Sequence, residues 1–302
     1  MTIMWNVLKK AGLALLLPLA ACASGTAPRA GASAAPKPAM WKVADEDTTV
    51  YLFGTFHLLP EGQKWRTAAM EAALAEADEL VLEVANVDDA NAAAMGMMKL
   101  AMSPGLPPIA ERVPENKKAA LKAVIAESGV PEAMLDRLET WAAGMSLLGV
   151  TFKRLGLDPD LGVEKQIQGP FKGSGKPVRG LETVEQQFGF FDTLSEEAQR
   201  AFLLSIVEDS EETRAQFRAM LSAWAAGDVK GIARTFNDEA QMSPELKAAL
   251  LSRRNSKWAE WLDERMDRPG TVFVAVGAGH LAGKDSVQKF LAKKGLKAVR
   301  VQ

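Results

Sequence analysis

Both histidines of the 302-residue sequence stand in the same local pattern. His57 ends the stretch GTFH and His280 ends GAGH, so each follows a glycine by three positions and an apolar run by four. A glycine at the end of a strand lets the backbone turn sharply, and a side chain three residues later can then point back over the sheet edge. If the two strands are parallel, we expect both imidazoles to lie outside their carboxyl ends, where open α/β sheets bind ligands. The other interpretation of each histidine is a hydrogen-bonded residue of the core.

Glu83 interrupts the apolar run LVLEVA at residues 80–85. A buried strand does not hold an ionised carboxylate without a cation, a metal ion or several hydrogen-bond donors. Two interpretations are therefore open. Glu83 forms a structural ion pair, for which Arg300 stands at a comparable place in the run KAVRV, or it acts as a functional acid beside the histidines.

Other polar residues have weaker cases. Glu182 heads the segment LETVEQQ after a short apolar run, so it either caps a helix N-terminus or reaches the same cleft. Glu164 in LGVEKQ, and the neighbours Arg254 and Asn255 in SRRNSKW, are further candidates. Charged helix surfaces also supply such residues, so these three positions do not by themselves predict a site.

The composition excludes several classes of function. There are 36 Lys and Arg residues against 38 Asp and Glu, a net charge of −2, so the basic excess typical of nucleic-acid binding is absent. Apolar residues make up 48% of the chain and charged residues 25%, which is typical of a globular protein with a sizeable core. A single cysteine excludes an intramolecular disulfide and a cysteine-based zinc knuckle.

The first 39 residues are expected to lie outside the folded domain. Two lysines precede the apolar run GLALLLPLAA, which predicts a signal peptide over residues 1–21, too short for a membrane-spanning helix. The sequence LAAC resembles a lipobox, which implies acylation of Cys22. Residues 22–39, rich in Ala, Gly, Ser and Pro, predict a disordered tether. Because Ala23 is not the aspartate of an inner-membrane signal, we expect a lipid anchor in the outer membrane, facing the periplasm, with the bacterial membrane as a partner.

The folded part, residues 40–302, opens and closes with the same unit of strand, GxxH, helix and strand. At the N-terminal end, apolar runs at 41–44 and 48–53 predict a hairpin, a helical stripe covers 65–73, and a strand follows at 80–85. The C-terminal unit consists of a strand, a helix and a strand, at residues 272–276, 287–291 and 297–301.

Residues 88–268 are mainly helical in pattern, with a short strand at 177–181 and breaks that include residues 169–177. The sequence thus predicts one α/β domain, α+β-like in layout, with one mixed central sheet and a large helical insertion.

Five segments in order, GTFHLLP, LVLEVAN, GKPVRGLETVEQQ, RRNSKW and VGAGHLAGKDSVQKFLAKKG, resemble the TraB/GumN superfamily, which includes the Tiki proteins and is distantly similar to erythromycin esterase and ChaN-like proteins. The resemblance covers about residues 40–302. Tiki proteins are regarded as metal-dependent proteases with two GxxH motifs and acidic and arginine partners. The resemblance implies that His57 and His280 are metal or catalytic residues and that Glu83 is their acidic partner. Glu182 and Arg254 match further motif positions.

This resemblance and the paired histidines lead to one main mechanism. A catalytic divalent ion commonly takes three protein ligands and leaves a position for water, and His57, His280 and Glu83 would supply those ligands for Mn, Co or Zn. Glu182 would take the proton of the attacking water, and Arg254 would hold the oxyanion. We therefore expect a metal-dependent hydrolase of amide or ester bonds in a peptide or small ester or amide substrate.

Two alternatives remain. In the first, a histidine acts without metal as a general base that Glu83 orients. In the second, the protein is a lipoprotein without turnover, which binds haem or a glycan or supports polysaccharide export. No HExxH, GxSxG, phosphate-loop or dinucleotide motif follows a suitable strand, which disfavours serine-hydrolase, nucleotide and NAD chemistry.

Overall fold

The computed structural model describes residues 35–85, 90–208, 211–237 and 243–302. The expected signal peptide at 1–21, Cys22 and most of the expected tether at 22–39 lie outside the described residues. Among the described helices, none combines the length and the apolar character that crossing a bilayer requires.

A mixed sheet forms the centre of the domain. Its strands are β1 (Met40–Ala44), β2 (Thr48–Thr55), β4 (Glu79–Leu82), β6 (Val178–Gly180), β7 (Gly270–Gly277) and β8 (Val299–Arg300). Their order across the sheet is β6-β4-β7-β2-β1-β8. Strands β6, β4, β7 and β2 are parallel, while β1 is antiparallel to both β2 and β8. A separate two-stranded sheet pairs β3 (Leu59–Pro60) with β5 (Leu157–Asp158). The predicted α/β class with one mixed central sheet is confirmed.

The two ends of the chain meet at the centre of this sheet. Strands β2 and β7 pair over eight residues, from Thr48 opposite Gly270 to Thr55 opposite Gly277. Both strands are apolar along most of their length because parallel strands are buried on both faces. Their shared register places the two GxxH segments side by side at one edge of the sheet.

Helices cover both faces of the sheet. Those before β7 are α1 (Ala68–Glu76), α2 (Ala90–Leu100), α3 (Lys118–Ser128), α4 (Glu132–Leu135), α5 (Thr140–Arg154), α6 (Val163–Gly173), α7 (Val184–Asp192), α8 (Glu196–Val207), α9 (Glu211–Ala225), α10 (Val229–Asn237), α11 (Pro244–Lys247) and α12 (Arg253–Met266). A π-helical turn, Ala248–Ser252, joins α11 to α12, and α13 (Val287–Lys293) follows β7.

Alternate side chains of the strands enter two different cores. Phe273 and Ala275 of β7 contact the core beneath the helical insertion, whereas Val274 and Val276 contact a smaller core formed with α12 and α13. Helix α12 buries Trp258 and Leu262 in this smaller core. Because a short connection leads from the end of α12 back to the start of β7, α12 runs antiparallel to the parallel strands. Its first turn therefore lies at their carboxyl ends.

Two local predictions were wrong. The expected break over residues 169–177 does not occur at its start, since α6 continues through Gly169 and Pro170 to Gly173. Proline removes one helical hydrogen bond, and here it does so within the last turn and a half, where few bonds remain to be lost. The strand expected over residues 80–85 ends at Leu82, so Glu83 is the first residue after the strand.

Candidate active site

Each of the four parallel strands is followed by one predicted site residue, and these four residues lie at the same edge of the sheet. His57 follows β2, His280 follows β7, Glu83 follows β4 and Glu182 follows β6. The Glu182 amide donates to the Glu83 carbonyl at 2.9 Å, which continues the pairing of β4 and β6 beyond the strands. The first turn of α12 adds Arg254 at this edge. The structure thus brings together all five residues for which metal-binding or catalytic roles were expected.

The two imidazoles face one oxygen of Glu83. Glu83 Oε1 lies 3.8 Å from His57 Nε2 and 3.7 Å from His280 Nε2, and it accepts a hydrogen bond of 2.8 Å from the Gly277 amide. A Cβ atom on Gly277 would lie 3.2 Å from both Glu83 Oε1 and His57 Nε2. The glycine of the second GxxH motif therefore also leaves the space in which these groups meet.

Arg254 is the cation that makes the burial of Glu83 possible. Its side chain is 1% exposed, and Nη2 lies 2.5 Å from Glu83 Oε2 and 2.8 Å from Glu182 Oε2. Burial raises the pKa of Glu83, but the Arg254 guanidinium, the histidines and the Gly277 amide together hold that pKa well below its usual range. The alternative partner Arg300 instead donates to the carbonyls of Gln302 and Gly227.

Glu182 does not cap the following helix. Thr183 does so, in a capping box with Gln186. The Glu182 carboxylate accepts from Arg254 Nε at 2.9 Å and from Trp258 Nε1 at 2.9 Å. Gln187 Nε2 lies 3.3 Å from oxygens of both Glu83 and Glu182. Glu182 therefore holds Arg254 in place, and the Glu182 oxygens accept hydrogen bonds from three different side chains, those of Arg254, Trp258 and Gln187.

A further carboxylate, Glu164, orients His57. His57 Nδ1 lies 2.8 Å from Glu164 Oε1, which also accepts from the Thr55 hydroxyl. Burial lowers the pKa of His57, but the charge and hydrogen bond of Glu164, aided by Glu83, outweigh it and raise the pKa to about 9. A Cβ atom at Gly162, just before α6, would lie 2.1 Å from the His57 carbonyl oxygen. This close approach places Glu164, in the first turn of α6, beside the imidazole.

His280 is neutral, and Asn255 sets its tautomer. His280 Nδ1 lies 2.6 Å from Asn255 Oδ1, and Arg254 Nη1 lies 3.2 Å from His280 Nε2. Because a guanidinium only donates, Nε2 accepts and Nδ1 carries the hydrogen. Burial, followed by the positive charges of Arg254 and His57, lowers the pKa of His280 to about 3 against the opposing effect of Glu83. One imidazole is thus charged at neutral pH and the other is not.

A cavity of about 40 Å³ opens beside the histidines. It has room for about two or three water molecules. The segments 55–58 and 277–280 line it together with Phe217 and Met220 of α9 and Ile232 of α10. The His57 side chain is 17% exposed and that of His280 is fully buried, so solvent reaches the site from the side of His57.

The donors fit a divalent ion in type and in tautomer. Each imidazole directs Nε2 towards Glu83, and a side-chain oxygen holds each Nδ1, as is usual for histidine ligands. Two ligands of one tetrahedral ion lie about 3.3 to 3.6 Å apart, close to the 3.7 and 3.8 Å found here. In the described ranges, however, no group of three or more His, Cys, Asp or Glu side chains has an arrangement that could hold a metal ion as it stands. An ion would also require Arg254 to give up its contact with His280.

Sequence reasoning gave little weight to three residues that complete the cluster. Glu164 and Asn255 were weak candidates because they lie on helices, whose packing has no local signature. Trp258 was not among the site candidates, yet its ring lies 4.3 Å from that of His280 and its indole binds Glu182. One signal was available, since Trp258 stands one helical turn after Arg254 and therefore shares its face.

Comparisons with known proteins identify the family of the chain. The model of the TraB/PrgY/gumN family matches residues 39–300. The uncharacterized protein YbaP of Escherichia coli strain K12 is 25% identical over 245 residues, which cover 80% of this chain and 87% of the relative. YbaP of Shigella flexneri matches with the same identity and coverage. No solved structure matches the chain. With the family match spanning both GxxH segments and all strands of the central sheet, the chain belongs to the TraB/PrgY/gumN family.

Proposed function

We propose that this cluster is the active site of a metal-dependent hydrolase of amide or ester bonds, carried by a lipoprotein of the cell envelope. The observation that supports the proposal is the convergence of two imidazole Nε2 atoms on one carboxylate oxygen, beside a cavity that opens to solvent. Such a cluster at the carboxyl ends of parallel strands is typical of a reactive site.

In this proposal His57, His280 and Glu83 hold a divalent ion, which would acidify water and polarise a carbonyl when bound. Glu164 and Asn255 orient the imidazoles through Nδ1. Arg254 carries a positive charge in the site, and its Nη1 donates to the Leu250 carbonyl and to His280 Nε2. Released from His280, Nη1 is the donor that can face a developing oxyanion.

We propose that Glu182 accepts the proton from the attacking water, which it can do only after a change in its hydrogen bonds. Its oxygens accept from Arg254 and Trp258, so it must lose one of these bonds before it can accept a proton. Glu182→Gln tests this role, because the amide keeps the shape and removes the basicity. We expect a loss of turnover with a smaller effect on substrate binding.

One observation favours a second, metal-free mechanism. The His57–Glu164 pair resembles a general base and its orienting carboxylate, with Glu164 in the place that was expected for Glu83. Because the pKa of His57 is about 9, activity through this base would increase from neutral pH to about pH 9. A chelator would leave such activity unchanged. The cavity of about 40 Å³ is far too small for haem and supports no extension of the proposal to that ligand.

The deciding experiment combines metal analysis with turnover. The protein is purified without chelators, analysed for bound metal, and assayed on p-nitrophenyl esters and aminoacyl anilides with Mn²⁺, Co²⁺ or Zn²⁺. We expect about one ion per chain, and loss of both the ion and the activity in His57→Ala and His280→Ala. Glu260→Gln, on the exposed side of α12, is the matched control and should retain both.

Each other result has a definite meaning. Full metal occupancy in His57→Ala would remove His57 from the ligand set. Activity that withstands a chelator would favour the metal-free base. Absence of turnover with every metal and substrate would contradict a hydrolase and leave a binding role.

The lipid anchor is the second part of the proposal. The first described residues enter the fold at the site edge of the sheet: the Lys37 amide donates to the Ala225 carbonyl at 2.7 Å, and Met40 pairs with Phe53 near the end of β2. The 15 residues from Cys22 to Lys37 span at most about 50 Å, so an acylated Cys22 would keep the site near the outer membrane. Metabolic labelling with palmitate should mark the wild-type protein and not Cys22→Ala.

A further inference from the structure

Part of the cavity lining consists of apolar side chains that do not belong to the charged cluster. Besides the two segments that carry the histidines, Phe217 and Met220 of α9 and Ile232 of α10 line the cavity. All three side chains are buried, and the Phe217 ring lies against that of Phe56, with 6.2 Å between the ring centroids. We call Phe56, Phe217, Met220 and Ile232 the apolar wall.

Charge is absent from the apolar wall. Among the residues that the structure describes, the ionisable side chains that line the cavity are those of His57 and His280, and both belong to the proposed ligand set. Arg254, Glu83 and Glu182 are not part of the cavity lining, and Arg254 is paired with both carboxylates. A charged substituent pressed against the wall would lose its hydration and find no partner, whereas an uncharged apolar group would gain from burial.

We propose that the apolar wall is a specificity pocket for a short, uncharged aliphatic group on the acyl side of the bond to be cleaved. This inference rests on the proposed function: His57 and His280 line the same cavity as residues of α9 and α10, so a carbonyl group bound at the histidines would have one of its substituents in this cavity. The preferred substrates are then esters or amides of short aliphatic acids, or peptides with a small apolar residue before the cleaved bond.

The size of the cavity limits that group. About 40 Å³ admits a short chain, and Met220 and Ile232 are among the side chains that line this space. In a hydrophobic pocket, one methylene group too many or too few changes kcat/KM by roughly 10- to 200-fold. Substitutions that shorten Met220 or Ile232 should therefore move the preference towards longer acyl chains.

The test measures kcat/KM for p-nitrophenyl acetate, butyrate and octanoate with the metal-loaded enzyme. In the wild-type enzyme we expect acetate and butyrate to exceed octanoate by at least about tenfold. In Met220→Ala and Ile232→Ala the ratio of octanoate to acetate should increase at least about tenfold. Ile232→Trp, which fills the cavity, should lower the rate for butyrate more than that for acetate. Leu221→Ala, a buried neighbour of Met220 outside the cavity lining, is the matched control and should keep the wild-type ratio.

Failure of this inference can be told from failure of the proposed function. Turnover with the same chain-length profile in wild type and wall variants, or an equal shift in Leu221→Ala, overturns the specificity pocket and leaves the hydrolase intact. If no ester is cleaved, saturation-transfer NMR with butyramide tests the pocket by binding alone. Butyramide should bind the wild-type protein and not Ile232→Trp, and equal signals from both would overturn the pocket as well.

Discussion

The guanidinium of Arg254 lies 2.5 Å from the carboxylate of Glu83, although 171 positions separate the two residues along the chain. This contact joins the first turn of α12 to the end of β4. Through its bonds to Glu182, Arg254 also joins the end of β6 to the same point. Two buried carboxylates thus depend on one buried cation, and the stability of the site should depend on that cation too.

Removing this cation should destabilise the whole domain. In Arg254→Met, Glu83 and Glu182 remain buried without their partner, and breaking a buried ion pair in this way costs roughly 3–5 kcal/mol. Urea denaturation followed by circular dichroism measures the change. Arg253→Met removes the exposed neighbouring arginine and should leave the transition almost unchanged. Equal midpoints for the two variants would show that the buried pairs contribute nothing to stability.

The two histidines should affect the pH dependence of stability in different pH ranges. The folded-state pKa of His57 is about 9, above its unfolded value, so protonated His57 stabilises the fold fully below about pH 6.5 and this contribution disappears as the pH rises through 9. The stability difference between wild type and His57→Gln should therefore shrink by about 2–3 kcal/mol from pH 6 to pH 10. Urea titrations with a chelator present measure this difference.

His280 provides the control for that experiment. Its pKa falls to about 3 in the folded state, so its contribution is present above about pH 6.5 and is lost as the pH falls through 3. The difference between wild type and His280→Gln should stay constant from pH 7 to pH 10 and shrink in acid. A slope above pH 7 for His280→Gln, or none for His57→Gln, would contradict the assigned charges.

The protonation of each imidazole can be observed directly. With two histidines in the sequence, a two-dimensional ¹⁵N–¹H NMR spectrum of histidine-labelled protein contains two ring systems. In the metal-free protein at pH 7, we expect both nitrogens of His57 to be protonated and His280 to carry its hydrogen on Nδ1. Asn255→Asp, which places a carboxylate at His280 Nδ1, should raise the pKa of His280. A neutral His280 protonated on Nε2 would show that Arg254 does not donate to it.

We expect Gly277 to be required for metal binding and activity, but not for folding of the domain. An added methyl group would lie 3.2 Å from Glu83 Oε1 and His57 Nε2, so Gly277→Ala should push these groups apart. We expect at least about a tenfold loss of metal affinity or activity, comparable with the loss of an outer-shell partner. Gly149→Ala, within α5, meets no atom within 4 Å and should keep full activity. Wild-type metal affinity and turnover in Gly277→Ala would show that this space is not used.

Much of the central sheet could be predicted because its signals are local. The matching GxxH segments after two apolar runs predicted strands that end at one edge, and β2 and β7 do end there in register. Glu83 within an apolar run predicted a buried acid with a partner. The partner itself could not be identified, since Arg300 and Arg254 fit the same requirement and the choice depends on how α12 packs against the sheet.

The sequence by itself determined which polar residues would be buried and need partners. These are two histidines, each three residues after a glycine, and one acid in an apolar run. Only the tertiary structure decided the pairing, with Arg254 between Glu83 and Glu182, Glu164 on His57 and Asn255 on His280. The reason is physical. Which residues meet at the ends of neighbouring strands follows from the strand register and the alternation of side chains. The position of a helix on the sheet, in contrast, depends on many weak apolar contacts along its length. No local pattern encodes which of its polar side chains arrives at the site.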